Sequence, residues 1–566
     1  VVPPRLDEAK QQENFAPCLE HRRFMLSALD EGMATLSQAV RDIDPQAKLA
    51  HSGQGLTRVN DCWDWRVMLR HFGLSGLYGR NSGLPDLVRT QQPGYPAGLW
   101  NGYGMPLETI RSNCWNDLCN GLFAPAYWYD PYFYRRGDNR LNETGLHYQK
   151  LIAEVNASGV EPLCTDGTRT ASPFTVVYSP DCLLAAVATG CSSVIGSGTY
   201  TDNFNGWTQM LRFAGYAAPQ VIGDDCLSSI SPATQPVLIL PLLQLVSDSA
   251  VSALQQYVQA GGVLVIDAQA GIFDDFGQLR AENPLLQMAG ISVPLASGAG
   301  GGTVEFKKQL LRLTATGATA KATSAETLGA IVSKSPAADF AGIKLSAVDK
   351  QTSGAFFLNQ YGKGKVIYLN ALLDGFELLR GDNVTMQPIL AAFRDLFGSL
   401  GFNPVNTASP GVNFAEYRYG DFRTLLFVRG AGTDSVPVRS PLGTEYHLYD
   451  TLEHRYLGPA QTVACELAPH SVRMLLASPQ KLGDMRCEAS FDGRQITLTA
   501  RQQPGAALRV ELYHNEQPVR PLARNLAFQN EGRWQFDLGL QPSGTWRIKV
   551  LNVLSGETYA QEYICK

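Results

Sequence analysis

The stretch from Ala97 to Phe133 constrains this chain most. A short apolar run, Gly98-Leu99-Trp100, meets the turn Asn101-Gly102-Tyr103-Gly104; a helical pattern follows, and Ala124-Pro125-Ala126-Tyr127-Trp128-Tyr129 reads as a second strand. Strand, loop, helix, strand is the smallest unit that lays two strands parallel, because a parallel return needs a long crossover. The residues before it follow the same rule. Apolar positions at helical spacing run from Cys18 to about Arg41, with Asp44-Pro45 as the stop. Lys48 to Gly53 reads as a strand entering a glycine turn, Trp63 to His71 as a helix, and Leu74 to Gly79 as a strand ending on an aromatic residue. Four short strands alternating with helices predict parallel βα units, half of a (β/α)8 barrel, whose complete form takes about 250 residues. Such barrels keep their chemistry at the carboxyl ends of the strands.

A length of 566 residues exceeds one hydrophobic core. Residues 1–160 hold the barrel half, and the texture then changes. From Phe174 a second α/β pattern begins, with Pro236 to Leu240 and Val263 to Asp267 as strands. Between them Ser247-Asp248 caps the helix Val251 to Gln259, and Gly261-Gly262 stops it. This predicts a doubly wound, flavodoxin-like domain over 170–405. Beyond Pro410 alternation replaces helical spacing, predicting a small β-domain over 410–478 and an immunoglobulin-like β-sandwich over 480–566. In the last, Gln495 to Ala500 and Ala507 to Leu512 read as two strands.

A net charge of -5 without a basic run leaves no footprint for nucleic acid or an anionic membrane, so neutral or small substrates are expected. No apolar run reaches the roughly 18 to 20 residues of a membrane span, and Val1 begins without a signal-peptide pattern, a start that reads as mature, processed or truncated. The 11 cysteines include no Cys-x-x-Cys pair, so neither a structural zinc site nor another metal or cofactor is expected. Cys487 with Cys565 and Cys114 with Cys119 are disulfide candidates, which would place the protein outside the cell or in a periplasm; buried thiols are the alternative.

The ensemble resembles the clan A glycoside hydrolases, most closely the family 42 β-galactosidases. The resemblance rests on Pro236-Val-Leu-Ile-Leu-Pro241 with Leu254 to Asp267, and on Arg111-Ser-Asn-Cys-Trp115 through Gly121 to Tyr127-Trp128. It implies a catalytic barrel, an amidotransferase-like trimerisation domain and a small β-domain over about Leu19 to Leu476. Residue by residue, Tyr78 falls where the clan keeps a tyrosine or histidine after strand six, and Trp128 where it keeps a tryptophan under the sugar after strand eight. The catalytic pair does not carry over: the acid/base strand would precede Val1, and the nucleophile position after strand seven reads Trp100-Asn101-Gly102-Tyr103.

Retaining hydrolysis needs two carboxyl groups about 5 to 5.5 Å apart, and Asn101 cannot attack an anomeric carbon, which leaves it a candidate for substrate binding. Glu108 is the nearest carboxylate and the catalytic candidate, although a glutamate at a helix start is more commonly placed there by the dipole. Asp130 could orient a sugar hydroxyl or cap a turn. Trp100, Tyr103, Trp128, Tyr129 and Trp63 are candidate stacking platforms, each also suited to core packing. His51 could donate to a hydroxyl or serve as a structural histidine. Amidotransferase activity is not expected, since Asp267-Ala268-Gln269 follows its strand without a cysteine. The expected function is therefore a glycoside hydrolase acting on β-linked sugars, with an active site completed by residues outside this chain. The alternative is a non-catalytic carbohydrate-binding or structural protein on the same scaffold. Expected partners are a carbohydrate, further copies of the chain, and a second chain or cleaved segment carrying the first barrel half.

Overall fold

Continuous apolar runs and helical patterns set the element order in the computed structural model. It describes residues 8, 14–56, 63–79, 82–102, 105–123, 126–128, 133–135, 137, 140–188, 199–293, 299–316, 319–334, 353–376, 379, 383–406, 411–539 and 543–565. The chain opens with α1 (Ala16–Ile43), β1 (Ala50–Gln54), α2 (Trp65–Met68), β2 (Leu74–Leu77), α3 (Leu84–Gln91), β3 (Ala97–Gly102), α4 (Leu107–Cys119) and β4 (Ala126–Trp128). Next come α5 (Glu143–Ala157), α6 (Val160–Thr165) and β5 (Thr168–Arg169). The central region holds β6 (Phe174–Tyr178), α7 (Pro180–Ala188), α8 (Thr199–Phe213), β7 (Gln220–Gly223), β8 (Val237–Leu240), α9 (Asp248–Gln259) and β9 (Val263–Asp267). After α10 (Pro284–Met288) and β10 (Ile291–Ser292) come β11 (Ala299–Phe306), β12 (Gln309–Thr316), β13 (Lys321–Ala322), β14 (Glu326–Lys334), β15 (Gly354–Tyr361), β16 (Gly364–Leu369), β17 (Ala371–Leu372) and α11 (Asn383–Gly398). The remainder is β: β18 (Val412–Tyr419), β19 (Phe422–Arg429), β20 (Val436–Asp450), β21 (Arg455–Leu467) and β22 (Val472–Ser478). Then follow β23 (Arg486–Phe491), β24 (Gln495–His514), β25 (Gln517–Pro518), β26 (Arg524–Asp537), β27 (Gly544–Asn552) and β28 (Thr558–Cys565).

Contacts group the four consecutive segments read from the sequence into two units, Val1–Leu99 with Ala171–Pro404 and Trp100–Thr170 with Val405–Lys566. β1 to β4 pair in sequence order, all parallel, and the unit boundary falls within β3.

In the first unit, every residue of β6, β8 and β9 is buried, as a parallel sheet covered on both faces requires. β7, β6, β8, β9 and β16 are parallel neighbours in that order. Counted along the chain this is 2-1-3-4-5, the flavodoxin-like winding. Antiparallel β15, β14, β11, β12 and β17 extend the sheet beyond β16, an addition the sequence pattern did not separate from the core. The Ser247 hydroxyl caps α9 by accepting from Ala250 N, and Gly261, at φ +116°, ends it, as expected. α8 starts at Thr199 and buries Tyr200, Phe204 and Trp207. The crevice where the strand order reverses, beyond β6 and β8, is filled: Ser179, Cys182, Leu242 and Leu245 are buried there. α1 lies against this end, with Arg23 on Asp181 at 2.9 Å and Phe15 edge-on to Phe273.

In the second unit, α4 supplies Ile110, Cys114, Trp115, Leu118 and Cys119 to a core shared with β18, β19 and β22. Arg111 and Trp115 both donate to Glu154 of α5, fixing the two helices. β5 adds to the β18 edge of the small β-domain, so the segment leading out of α6 becomes part of that sheet. In the last module the two strands read from the sequence are one, β24, bent where its pairing with β26 shifts between Gln502 and Gly505. Cys487 and Cys565 carry free thiols, which removes that pair as a disulfide. Cys114 and Cys119 are core residues of α4, and Cys119 directs its thiol at Leu426 O. Among the described residues no helix is long and apolar enough to cross a membrane.

Candidate functional site

Of the residues singled out from the sequence, Tyr78 and Trp128 stand at the carboxyl ends of β2 and β4. In the first unit, Tyr78 follows β2 directly, and its amide donates to Gln54 O at 3.0 Å, extending the β1–β2 ladder by one step. Two glycines of the β1 end lie beside it, and the first needs its left-handed backbone. A Cβ on Gly53, which has φ +93°, would lie 3.4 Å from the Tyr78 ring, and one on Gly55 3.6 Å from its carbonyl. Trp65, fully buried in α2, anchors the same end by donating to Gly55 O at 2.8 Å.

His51 stands elsewhere. It is the second residue of β1, not its carboxyl end, and its neighbours come from the β1–β2 crossover: Trp63 at 4.3 Å between centroids, Phe72 at 5.2 Å and Trp65 at 5.6 Å. Burial among these rings lowers its pKa, and its Nδ1 has no hydrogen-bond partner among the described residues. Trp63 is thereby committed to ring packing against His51 and Phe72.

In the second unit, Trp100, Asn101 and Gly102 of β3 pair with Ala126, Tyr127 and Trp128 of β4. Asn101 is fully buried and donates from Nδ2 to Asp117 Oδ2 at 3.2 Å, so its amide is turned to α4. By strand alternation Trp100 faces the other way. The position that the family resemblance assigns to a nucleophile thus holds a carboxamide out of reach of a ligand. Glu108 is exposed in the first turn of α4. Trp128 ends β4, placed by its backbone pairing; Tyr103, Tyr129 and Asp130 lie outside the described residues.

Two other carboxylates start the helices after β1 and β2, and sequence reasoning missed both. Asp64 caps α2 and takes two bonds from the Arg66 guanidinium, which also reaches Asp224 and Asp225. Asp86, fully buried in α3, binds Arg89 and Arg212. Burial alone would raise its pKa, but the two guanidiniums outweigh that and hold it below the usual carboxylate range. Neither is available as a second catalytic carboxyl. Asp86 and Arg212 are 126 positions apart, so no local pattern could have signalled the pair.

A third buried carboxylate, Asp267, ends β9. It accepts from Asn203 at 2.6 Å, from Trp207 at 2.9 Å and from Leu242 N at 2.5 Å. Burial dominates these bonds and raises its pKa to about 7. Beyond it Gln269, at φ +64°, takes a bond from Gln244 at 2.6 Å. The turn is polar and closed, with no nucleophile in it.

This α/β architecture with a β-rich carboxyl region is similar in fold to solved family 42 β-galactosidases. Residues 231–379 match the model of the β-galactosidase trimerisation domain. Similar solved structures include a catalytic mutant of the family 42 β-galactosidase of G. stearothermophilus, at 16% identity and TM-score 0.59, covering 82% of this chain and 68% of that one. The β-galactosidase of Bacillus circulans sp. alkalophilus is similar at 14% identity and TM-score 0.60, and that of Rahnella sp. R3 at 14% and 0.58, both with the same coverage. At such identities the likeness is one of fold. No curated protein matches the chain in sequence. The resemblance read from the sequence is thus supported over residues 231–379 by the trimerisation-domain match, and beyond them by fold.

Proposed function

We propose that the chain is the carboxyl-proximal part of a glycoside hydrolase of the β-galactosidase type, acting on β-linked sugars, with an active site completed by residues outside this chain. The observation that carries this reading is the parallel run β1-β2-β3-β4, with Tyr78 following β2 and Trp128 ending β4. Among the described residues β1 and β4 each pair on one side only. Open edges invite further pairing, and a closed barrel of this kind has eight strands. α1 also leaves Phe24, Leu36 and Ile43 exposed, at 65%, 64% and 89%, an apolar surface that further protein would cover. The missing half comes from a preceding segment or a separate chain. In the second unit Trp100, Tyr103 and Trp128 are the rings proposed for the apolar faces of the sugar, Asp130 the proposed partner of a hydroxyl, and Glu108 the carboxylate this chain offers to the reaction; in the first unit Tyr78 keeps the role that the family resemblance gives it.

Turnover of a chromogenic β-galactoside tests it. The chain extended by the segment encoded before Val1 is expected to hydrolyse the substrate, the chain alone is not, and Glu108→Gln is expected to lower the rate of the extended form at least about 100-fold. Full activity of Glu108→Gln would remove Glu108 from the reaction. A second reading, a non-catalytic carbohydrate-binding protein, is favoured by one observation, the buried Asn101–Asp117 pair at the nucleophile position. Sugar binding by an extended chain that hydrolyses no β-glycoside would establish it.

A further inference from the structure

One face of the last β-module is turned into a cleft in the second unit. Along β24, Leu508, Val510 and Leu512 point into the module's core, while the alternate residues Arg509, Glu511 and Tyr513 point the other way. Register extends this outer face: Glu511 lies opposite Lys549 of β27, and Arg509 opposite Asn525 of β26. α5 crosses it with a stripe at helical spacing, Gly145, Tyr148, Gln149, Ile152 and Asn156. The space between has a volume of about 1200 Å³. Small-ligand pockets commonly run to about 300–1,000 Å³, so there is room for more than a monosaccharide.

The lining is built from groups that suit hydroxyls and anions together. Four cations, Arg509, Arg520, Arg524 and Lys549, face two carboxylates, Glu161 and Glu511. Both carboxylates already have partners: Glu511 accepts from Tyr513 OH at 2.8 Å and Arg509 at 3.3 Å, and Glu161 accepts from Asn525 at 2.5 Å. The guanidinium of Arg524 is held by the carbonyls of Pro521 and Ala523. Arg520, Arg524 and Lys549 have no carboxylate partner among the described residues. This local positive excess runs against the chain's overall charge of -5. Tyr134, 45% exposed, and the half-buried Tyr513, which carries the Arg547 guanidinium on one face at 5.0 Å, add ring faces of the sort that pack on sugar C–H groups.

We infer that this cleft binds an anionic oligosaccharide, one whose rings lie against the tyrosines and whose carboxylate or sulfate groups meet Arg520, Arg524 and Lys549. Its lining shares no residue with the strand ends of β1 to β4, and the inference does not depend on hydrolysis.

Isothermal titration of the whole chain tests it with three probes: a neutral galacto-trisaccharide, a trigalacturonate and a sulfated trisaccharide. At least one anionic probe is expected to bind about tenfold or more tighter than the neutral one, and to weaken as salt is raised. The double variant Arg524→Glu, Lys549→Glu is expected to lose about tenfold or more in that affinity with an unchanged melting temperature, since both side chains are exposed. Preference for trigalacturonate would assign the anion as carboxylate, and preference for the sulfated probe would assign it as sulfate. Equal affinity for neutral and anionic probes, no binding of any, or an unchanged affinity in the double variant would overturn the inference. So would equally tight binding of a short single-stranded oligonucleotide, which would show attraction to any polyanion.

Discussion

Asp86 shows what one buried charge does here. It is fully enclosed between Arg89 and Arg212, and Arg212 is itself buried, so Asp86→Ala would leave a guanidinium in the interior without its counterion. A loss of about 3–5 kcal/mol is expected in chemical denaturation. Because its folded pKa is depressed, the pair's contribution is present above the unfolded value of about 3.9 and is lost as pH falls through the lower folded one. Asp267 has the opposite sign. With a folded pKa near 7, it holds a proton that the unfolded chain releases from about pH 3.9 upward, so its contribution to stability falls between about pH 4 and 7. Denaturation midpoints measured across that range should show the decline, and Asp267→Asn should flatten it at the cost of part of the bonding to Asn203, Trp207 and Leu242. A pH dependence identical in wild type and variant would assign the decline to other groups.

Among the elements, β3 and α8 each hold a position that tolerates little change. Asn101 of β3 is sealed against Asp117 of α4, so restoring a carboxylate at this position would not rebuild a nucleophile. Asn101→Asp would instead set two carboxylates against each other in a dry site, where both cannot ionise cheaply. The expected result is a protein destabilised by several kcal/mol at about pH 8, partly rescued near pH 5, and without gain of glycosidase activity. In α8, Gly206 is where the helix meets Leu373, and a Cβ there would stand 2.1 Å from the Leu373 carbonyl oxygen. Gly206→Ala should therefore cost about 1–3 kcal/mol despite the better helix propensity of alanine, read as a lower melting temperature. A more stable variant would mean the two segments can separate freely.

For the whole molecule, the trimerisation-type match over 231–379 carries an expectation of self-association. Light scattering at micromolar concentration should give a mass above that of one chain, and a monomer across that range would count against the family-type role of this domain.

How much of this could be read in advance depends on the range of the interactions. Period and punctuation in the sequence determined β1 to β4, the winding around β6, β8 and β9, the Ser247 cap and Gly261 stop of α9, and the change to β-structure after Pro410, because these follow from which residues within a few positions can share a face or end a helix. Tyr78 and Trp128 were legible as strand-end aromatics for the same reason. Tertiary structure alone decided that β24 is one bent strand, that His51 turns to the crossover rings, that Asn101 is spent on Asp117, and that Asp86 and Arg212 form a buried pair. It also decided that α5 closes a cationic cleft over the last module. Each of these depends on groups brought together from distant parts of the chain, where burial and charge, which no local pattern encodes, select the partner.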